Sequence, residues 1–138
     1  MRFRFPFLLI LLFLSASSFA ESMDDLVFRD GLYYKKFTDV PFTGEIDGEQ
    51  DKGSIKNGKF VGPWISYHDN GQLSHKGSYN EDGQMEGLWV SYYDNGQLWE
   101  KGEYRKGMME GYWEGYLSDG GVSAWKTGTY KNGEKISD

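Results

Sequence analysis

Gly62-Pro63-Trp64-Ile65-Ser66-Tyr67-His68-Asp69-Asn70-Gly71-Gln72-Leu73 decides the fold, because the phrase returns. It reappears as Gly87-Leu88-Trp89-Val90-Ser91-Tyr92-Tyr93-Asp94-Asn95-Gly96-Gln97-Leu98. A weaker copy runs Gly111-Tyr112-Trp113-Glu114-Gly115-Tyr116-Leu117-Ser118-Asp119-Gly120-Gly121-Val122. Trp89 follows Trp64 by 25 residues, and Trp113 follows Trp89 by 24. A phrase repeated at this interval marks a stacked array, in which a unit buries its apolar side only against a neighbour. Recurrence also argues against an enzyme, since it sets similar residues in a row where catalysis converges different ones on a point.

Between the copies, short aromatic and β-branched runs alternate with turn pairs: Asp30-Gly31, Asn57-Gly58, Asn70-Gly71, Asp82-Gly83, Asn95-Gly96, Lys106-Gly107, Gly120-Gly121 and Asn132-Gly133. Asn-Gly and Asp-Gly at such places signal two-residue hairpin loops, whose type I′ turn needs positive φ at both residues. After residue 20 no helical apolar stripe runs unbroken by glycine. The chain therefore reads as all-β, a single-domain antiparallel hairpin meander.

Pairing outward from Asn70-Gly71, Asn95-Gly96 and Gly120-Gly121 predicts a register. Trp64 falls opposite Gly77, Trp89 opposite Gly102 and Trp113 opposite Gly128; Gly62, Gly87 and Gly111 then face Tyr79, Tyr104 and Tyr130. The third copy carries one extra residue on each side of its turn. A ring laid across a strand glycine covers backbone that the missing side chain exposes. Trp64, Trp89, Trp113, Tyr79, Tyr104, Tyr130, Gly77, Gly102 and Gly128 are the expected core. The opposite face carries Tyr67, Tyr92 and Tyr116 in a mixed row. Trp99, where the first copy has Ser74, is assigned to that face too, and these four residues are the expected partner contacts.

Residues 1–20 read as a cleaved secretory signal: Arg2 and Arg4, then an apolar run Leu8–Leu14, then Ser18-Phe19-Ala20. Residues 21–52 form an expected N-terminal β cap, with a hairpin over Val27–Tyr34 and a strand over Val40–Glu45. Residues 53–138 hold the repeats, with copies near 53–76, 77–101 and 102–127 and a half copy at 128–138. The expected protein is exported, periplasmic or secreted, with no integral membrane segment after signal removal. Its oligomeric state is left open.

The first twenty residues hold two basic and no acidic side chains, so the remaining 118 carry 13 basic and 21 acidic, a formal charge of −8 against −6 for the whole chain. Such a charge excludes nucleic acid as a natural partner. With no cysteine, disulfides, thiolate metal sites and cysteine nucleophiles are excluded as well.

His68 and His75 are the two histidines. In the predicted register His68 faces Leu73 and His75 faces Ser66. A metal would need further ligands that the second copy, with Tyr93 and Glu100, does not repeat, so no metal and no cofactor are expected. Asp69, Asp94 and Asp119 read as turn initiators through their side chains rather than calcium ligands. Ser66 and Ser91 read as small residues that clear the rings, with no catalytic base at hand. Glu86, Glu110 and Glu114 beside Tyr116 and Trp99 keep one alternative open, a carbohydrate-binding or sugar-active envelope protein using paired carboxylates.

The string G-x-W-x-x-Y-x-x-N-G-x-L, followed by G-x-Y and a second turn glycine, resembles the MORN-repeat family, in its bacterial variant form, over roughly residues 53–134. The resemblance implies consecutive hairpins in an elongated sheet that acts as a scaffold without catalysis, with a protein or cell-envelope component as partner. Some bacterial members are labelled antitoxins, so it also implies an antitoxin-like partner of a toxin as a further alternative.

Overall fold

The computed structural model describes residues 20–138, so the signal predicted over 1–20 lies, but for Ala20, outside the described residues. Strands β1 (Leu26–Arg29) and β2 (Leu32–Lys35) make a hairpin of their own. Strands β3 (Gly44–Asp47), β4 (Asp51–Lys56), β5 (Lys59–Tyr67), β6 (Leu73–Tyr79), β7 (Met85–Tyr92), β8 (Leu98–Arg105), β9 (Met108–Gly115), β10 (Gly128–Lys131) and β11 (Glu134–Ser137) pair in chain order as one antiparallel sheet. Helix among the described residues is a single 3-10 turn at Met23–Asp25.

The ladder holds the pairs that the spacing predicts. Trp64 lies across from Gly77, Trp89 from Gly102 and Trp113 from Gly128, with Gly62, Gly87 and Gly111 across from Tyr79, Tyr104 and Tyr130. The direction of the rings differs from expectation. A Cβ on Gly77 would lie under 3.0 Å from Cγ, Cδ2 and Cε2 of Trp89, and one on Gly102 would meet the same atoms of Trp113. Trp64 likewise covers Gly53. Each indole thus leans back over the glycine of the preceding strand, away from its own ladder partner. Gly128 has no ring over it and is approached instead by Lys135 and the Ser137 carbonyl.

A bulge explains the reversal. Between the β6–β7 pairs Ser78–Glu86 and Lys76–Val90, one residue, Gly77, faces three, Gly87-Leu88-Trp89. Gly87 has φ +73°, and Gly62 and Gly111 repeat that left-handed conformation at +69° and +73°. Only glycine holds it at low cost. The interrupted ladder is bridged by the ring: Trp89 Nε1 donates to the Ser78 carbonyl at 3.1 Å, and Trp113 Nε1 to the Glu103 carbonyl at 3.1 Å. Trp64 Nε1 donates to Ser66 Oγ at 3.0 Å, and that hydroxyl donates to Asp51.

The rings form one edge-to-face column. Within a hairpin the spacings are 6.2 Å for Trp64–Tyr79, 6.3 Å for Trp89–Tyr104 and 6.4 Å for Trp113–Tyr130. Between hairpins they shorten to 5.1 Å for Tyr79–Trp89 and 5.0 Å for Tyr104–Trp113. Such pairs contribute about 0.5–1.5 kcal/mol beyond their buried area. The column is closest where one unit meets the next, as a quasi-one-dimensional array requires. Trp64, Trp89 and Trp113 are 1–3% exposed, Tyr130 is buried, and Tyr79 and Tyr104 are half-buried. Burial, reinforced by Tyr33, Asp51 and Tyr104, pushes the Tyr79 phenol up to about 12.

At the N-terminal end, Leu26, Ile46, Ile55 and Trp64 close a small core against Tyr33, Phe42 and Phe60. The β1–β2 hairpin docks through Tyr33 N to the Gly58 carbonyl at 2.8 Å. The segment given to the cap also contributes to the sheet through β3 and the start of β4. Gly53-Ser54-Ile55 in β4 occupies the slot of Gly77-Ser78-Tyr79, with isoleucine in place of the tyrosine.

The turns fall into two kinds, where the spacing predicts one. Asp30-Gly31, Asn57-Gly58, Lys106-Gly107 and Asn132-Gly133 have positive φ at both residues, as type I′ requires. At the other four, a single glycine is left-handed. There three-residue loops close through Gly71 N to His68 O, Gly83 N to Asn80 O, Gly96 N to Tyr93 O and Gly120 N to Leu117 O, at 2.8–3.0 Å. The side chain that braces these loops is Asn70 or Asn95, accepting from Gln72 N or Gln97 N, where the preceding aspartates were expected; Asp119 does act so, toward Gly121 N. In the third copy the turn is therefore Asp119-Gly120, one residue earlier than Gly120-Gly121. Both extra residues follow it, and they form a separate turn in which Thr127 N reaches Ser123 O at 2.8 Å.

Candidate interaction surface

The face opposite the tryptophans is ordered in rows. Lys52 pairs across the ladder with Ile65, Ile65 with Lys76, Lys76 with Val90, Val90 with Lys101 and Lys101 with Glu114. Toward the three-residue loops lie Tyr67 and Tyr92, paired with Leu73 and Leu98, and then Tyr116. These three tyrosines are half-buried. Successive lysines are two strands apart, which places them about 9.5 Å from one another.

Two of the three lysines have acidic neighbours. Lys52 pairs with Asp47, and Lys101 Nζ lies 2.9 Å from Glu114 Oε2. The Glu114 carboxylate also accepts from Tyr116 Oη at 2.9 Å. The Lys101 ammonium, then that phenol, hold Glu114 below the usual carboxylate range, and the carboxylate raises both Lys101 and Tyr116. Lys76 stands exposed between Ile65 and Val90. Beyond this row the face adds exposed Leu88 and Tyr112, 60% and 58% accessible.

The carboxylates considered for sugar chemistry have structural partners. Glu86 Oε2 accepts from Lys106 N at 2.8 Å and Glu110 Oε2 from Asn132 N at 3.1 Å, so each braces the type I′ turn of the following hairpin. With Glu114 engaged by Lys101 and Tyr116, the three do not form a pair about a shared space.

Trp99 departs from its expected place. Tyr92 pairs with Leu98 and Ser91 with Glu100, so Trp99 is the residue left over in a bulge. The extra residue breaks the alternation and turns the indole to the Trp89 side. There it meets Tyr93 at 5.8 Å and Lys126 Nζ at 5.8 Å, and shares a pocket with His75 and Ser91. Tyr92 borders that pocket too, whereas Tyr67 and Tyr116 do not. Lys126 also lies 5.7 Å from the exposed Trp125 ring and pairs with buried Glu100 at 2.5 Å. Sequence reading gave Trp125 and Lys126 no role, because they sit on the insertion where no repeat partner marks them.

His75 faces Ser66 as expected, but Leu73 is paired with Tyr67 rather than with His68. The loop is three residues long, which shifts His68 beyond the ladder, and its Nε2 bonds the Tyr92 carbonyl at 2.9 Å. Tyr93 Oη repeats this link to the Tyr116 carbonyl at 2.9 Å. Asn70 and Asn95 also reach the next turn, at Asp94 O and Ser118 O. These residues tie each turn to the next.

Half-buried His75 stacks on Trp89 at 6.0 Å. Burial depresses its imidazole below the ordinary 6.5, with Asp51 pulling upward and His68 adding to the depression. Between its folded and unfolded values the unfolded chain therefore binds more protons, so this contribution to stability is complete above pH 6.5 and falls as the pH drops below it. Thermal melts should lose stability as the pH falls below about 6.5, and His75→Gln should flatten that loss. An unchanged slope in the variant would contradict the assignment.

Among the described residues no helix is long and apolar enough to cross a membrane, and no group of three or more potential ligands gathers as a metal site. Residues 60–84 and 85–106 each match the family model described as the MORN repeat variant. The match supports a MORN-repeat reading of β5–β8 and stops before the third copy. MORN repeats are in general protein- or membrane-interaction modules and typically non-catalytic. No curated protein and no solved structure matches the chain.

Proposed function

We propose that the protein is an exported, non-catalytic scaffold that binds a protein partner along its tyrosine–lysine face. The observation that carries this reading is the repeated row Lys52–Ile65–Lys76–Val90–Lys101 beside Tyr67, Tyr92 and Tyr116. Lys76 is the exposed cation of the row that neither Asp47 nor Glu114 engages. With the apolar side chains and phenols around it, this suits an extended segment carrying an acidic group better than a compact ligand. Tyrosine supplies contact area at low entropic cost together with a hydroxyl for the wet rim. The engagement of Glu86, Glu110 and Glu114 in turns and ion pairs supports the non-catalytic part.

The export part rests on Arg2, Arg4, the Leu8–Leu14 run and Ala20. Protein recovered outside the cytoplasm should begin at or near Glu21; full-length chain retained inside would contradict it. For the contact face, a photo-crosslinking residue at position 92 should yield a discrete protein adduct in the envelope fraction. Lys76→Glu should abolish that adduct without changing the melting temperature, whereas an adduct indifferent to Lys76 would refute the face.

A further inference from the structure

The pocket beside Trp99 lies on the opposite face from the lysine row, and the contacts described so far leave its purpose unexplained. It is an open pocket of 330 Å³ between the turns of two successive repeats, walled by Ser74, His75, Ser91 and Trp99 and bordered by Tyr92 and Asp94. It occurs at this point of the array because the repeat breaks here: Ser74 leaves space where the next copy places Trp99. A volume of this order with an aromatic wall and a few polar groups is the usual form of a small-ligand site.

We propose that this pocket binds a neutral pyranose ring of a glycan. Trp99, 39% exposed, offers an indole face on which the C–H side of a sugar can stack. The polar groups suit hydroxyls. Ser74 Oγ and His75 Nδ1 are 3.3 Å apart, a neutral donor–acceptor pair. Burial holds His75 below its ordinary value, so at neutral pH its ring remains uncharged and can both give and accept. Asp94 contributes a carboxylate at the rim, which can accept two adjacent hydroxyls.

The charge pattern favours a neutral ligand over a cation. Lys126 Nζ already lies 5.8 Å from the Trp99 ring, approaching from the C-terminal side of the array, whereas His75 and Ser74 come from the N-terminal side. A second cation on that ring would repel the first. An anionic sugar would meet Asp94 without an unpaired base beside it, since Lys126 is held by Glu100 at 2.5 Å. Tyr93 props the indole from 5.8 Å while its own hydroxyl is committed to Tyr116 O, so the wall is fixed before a ligand arrives.

Calorimetric titration of the chain from Glu21 onward with cellotriose, maltotriose and chitotriose tests this. At least one should bind with one site per chain. Trp99→Ala should weaken it at least about tenfold, as should Ser74→Trp, which fills the space while keeping Trp99. Trp125→Ala, which removes an exposed indole outside the pocket, should leave binding unchanged. Failure of all three trisaccharides at millimolar concentration overturns the proposal. So does binding that ignores both Trp99→Ala and Ser74→Trp, or displacement of the sugar by tetramethylammonium, which would mark a cation site instead.

Discussion

Trp89→Ala should cost about 3–5 kcal/mol in denaturant melts, the range for truncating a large buried ring. Trp89 is 3% exposed, stacks edge-to-face on Tyr79 and Tyr104, and donates to the Ser78 carbonyl. Its removal opens a cavity and leaves that carbonyl unpaired at the bulge. Among the described residues the sheet is a single layer here, with no second element to collapse into the gap, so relaxation recovers little. Trp99→Ala is the internal comparison. With 39% of its surface exposed and Tyr93 and Lys126 as its ring neighbours, it should cost about 1–2 kcal/mol. Equal losses would remove the distinction between the buried column and the pocket wall.

The difference between these two tryptophans was half legible in the sequence. Trp89 recurs as Trp64 and Trp113, and ladder pairs such as Trp89–Gly102 follow from ring and glycine spacing alone. The side to which each ring leans was not legible. That depends on the three-against-one bulge at Gly87-Leu88-Trp89, and a glycine in G-x-W does not reveal its positive φ. Trp99 was misplaced for a related reason. Strict alternation sends it to the tyrosine face, but a three-residue loop with a bulge needs one residue more than a two-residue loop. Asn70-Gly71 and Asn57-Gly58 carry the same letters and fold differently. In the first, Asn70 accepts from Gln72 N and keeps negative φ; in the second, both residues are left-handed.

The candidate surface was readable only in part. Tyr67, Tyr92 and Tyr116 stand out by repetition. The lysines between them did not, because Lys52, Lys76 and Lys101 share a row only once β4, β6 and β8 are aligned through the intervening strands. The pocket depends on residues where the repeat fails, Ser74 against Trp99 and His75 against Glu100, and a consensus hides such differences.

Gly77→Ala should also be costly, by about 1–3 kcal/mol, as expected for forcing atoms into a filled core. The added methyl would lie under 3.0 Å from Cγ, Cδ2 and Cε2 of Trp89. The indole cannot simply slide away, because its Nε1 is tied to Ser78 O at 3.1 Å and Tyr79 stands 5.1 Å from it. Gly102→Ala should behave alike through Trp113, whose ring covers it in the same way. By contrast, an extra methyl at Gly121 meets the Asp119 carboxylate at 3.2 Å in an exposed turn, and should be tolerated.

A double-mutant cycle tests most directly whether each indole locks its hairpin onto the preceding one. Stability would be measured for Gly77→Ala and Gly102→Ala, each alone and combined with Trp89→Ala. If Trp89 leans over Gly77, deleting the ring removes the clash, and this pair should couple by about 1–3 kcal/mol, while Gly102 and Trp89 add to within about 0.5 kcal/mol. Strong coupling of Trp89 to its ladder partner Gly102, with none to Gly77, would mean that the rings close their own hairpins, and the stacked column would be contradicted.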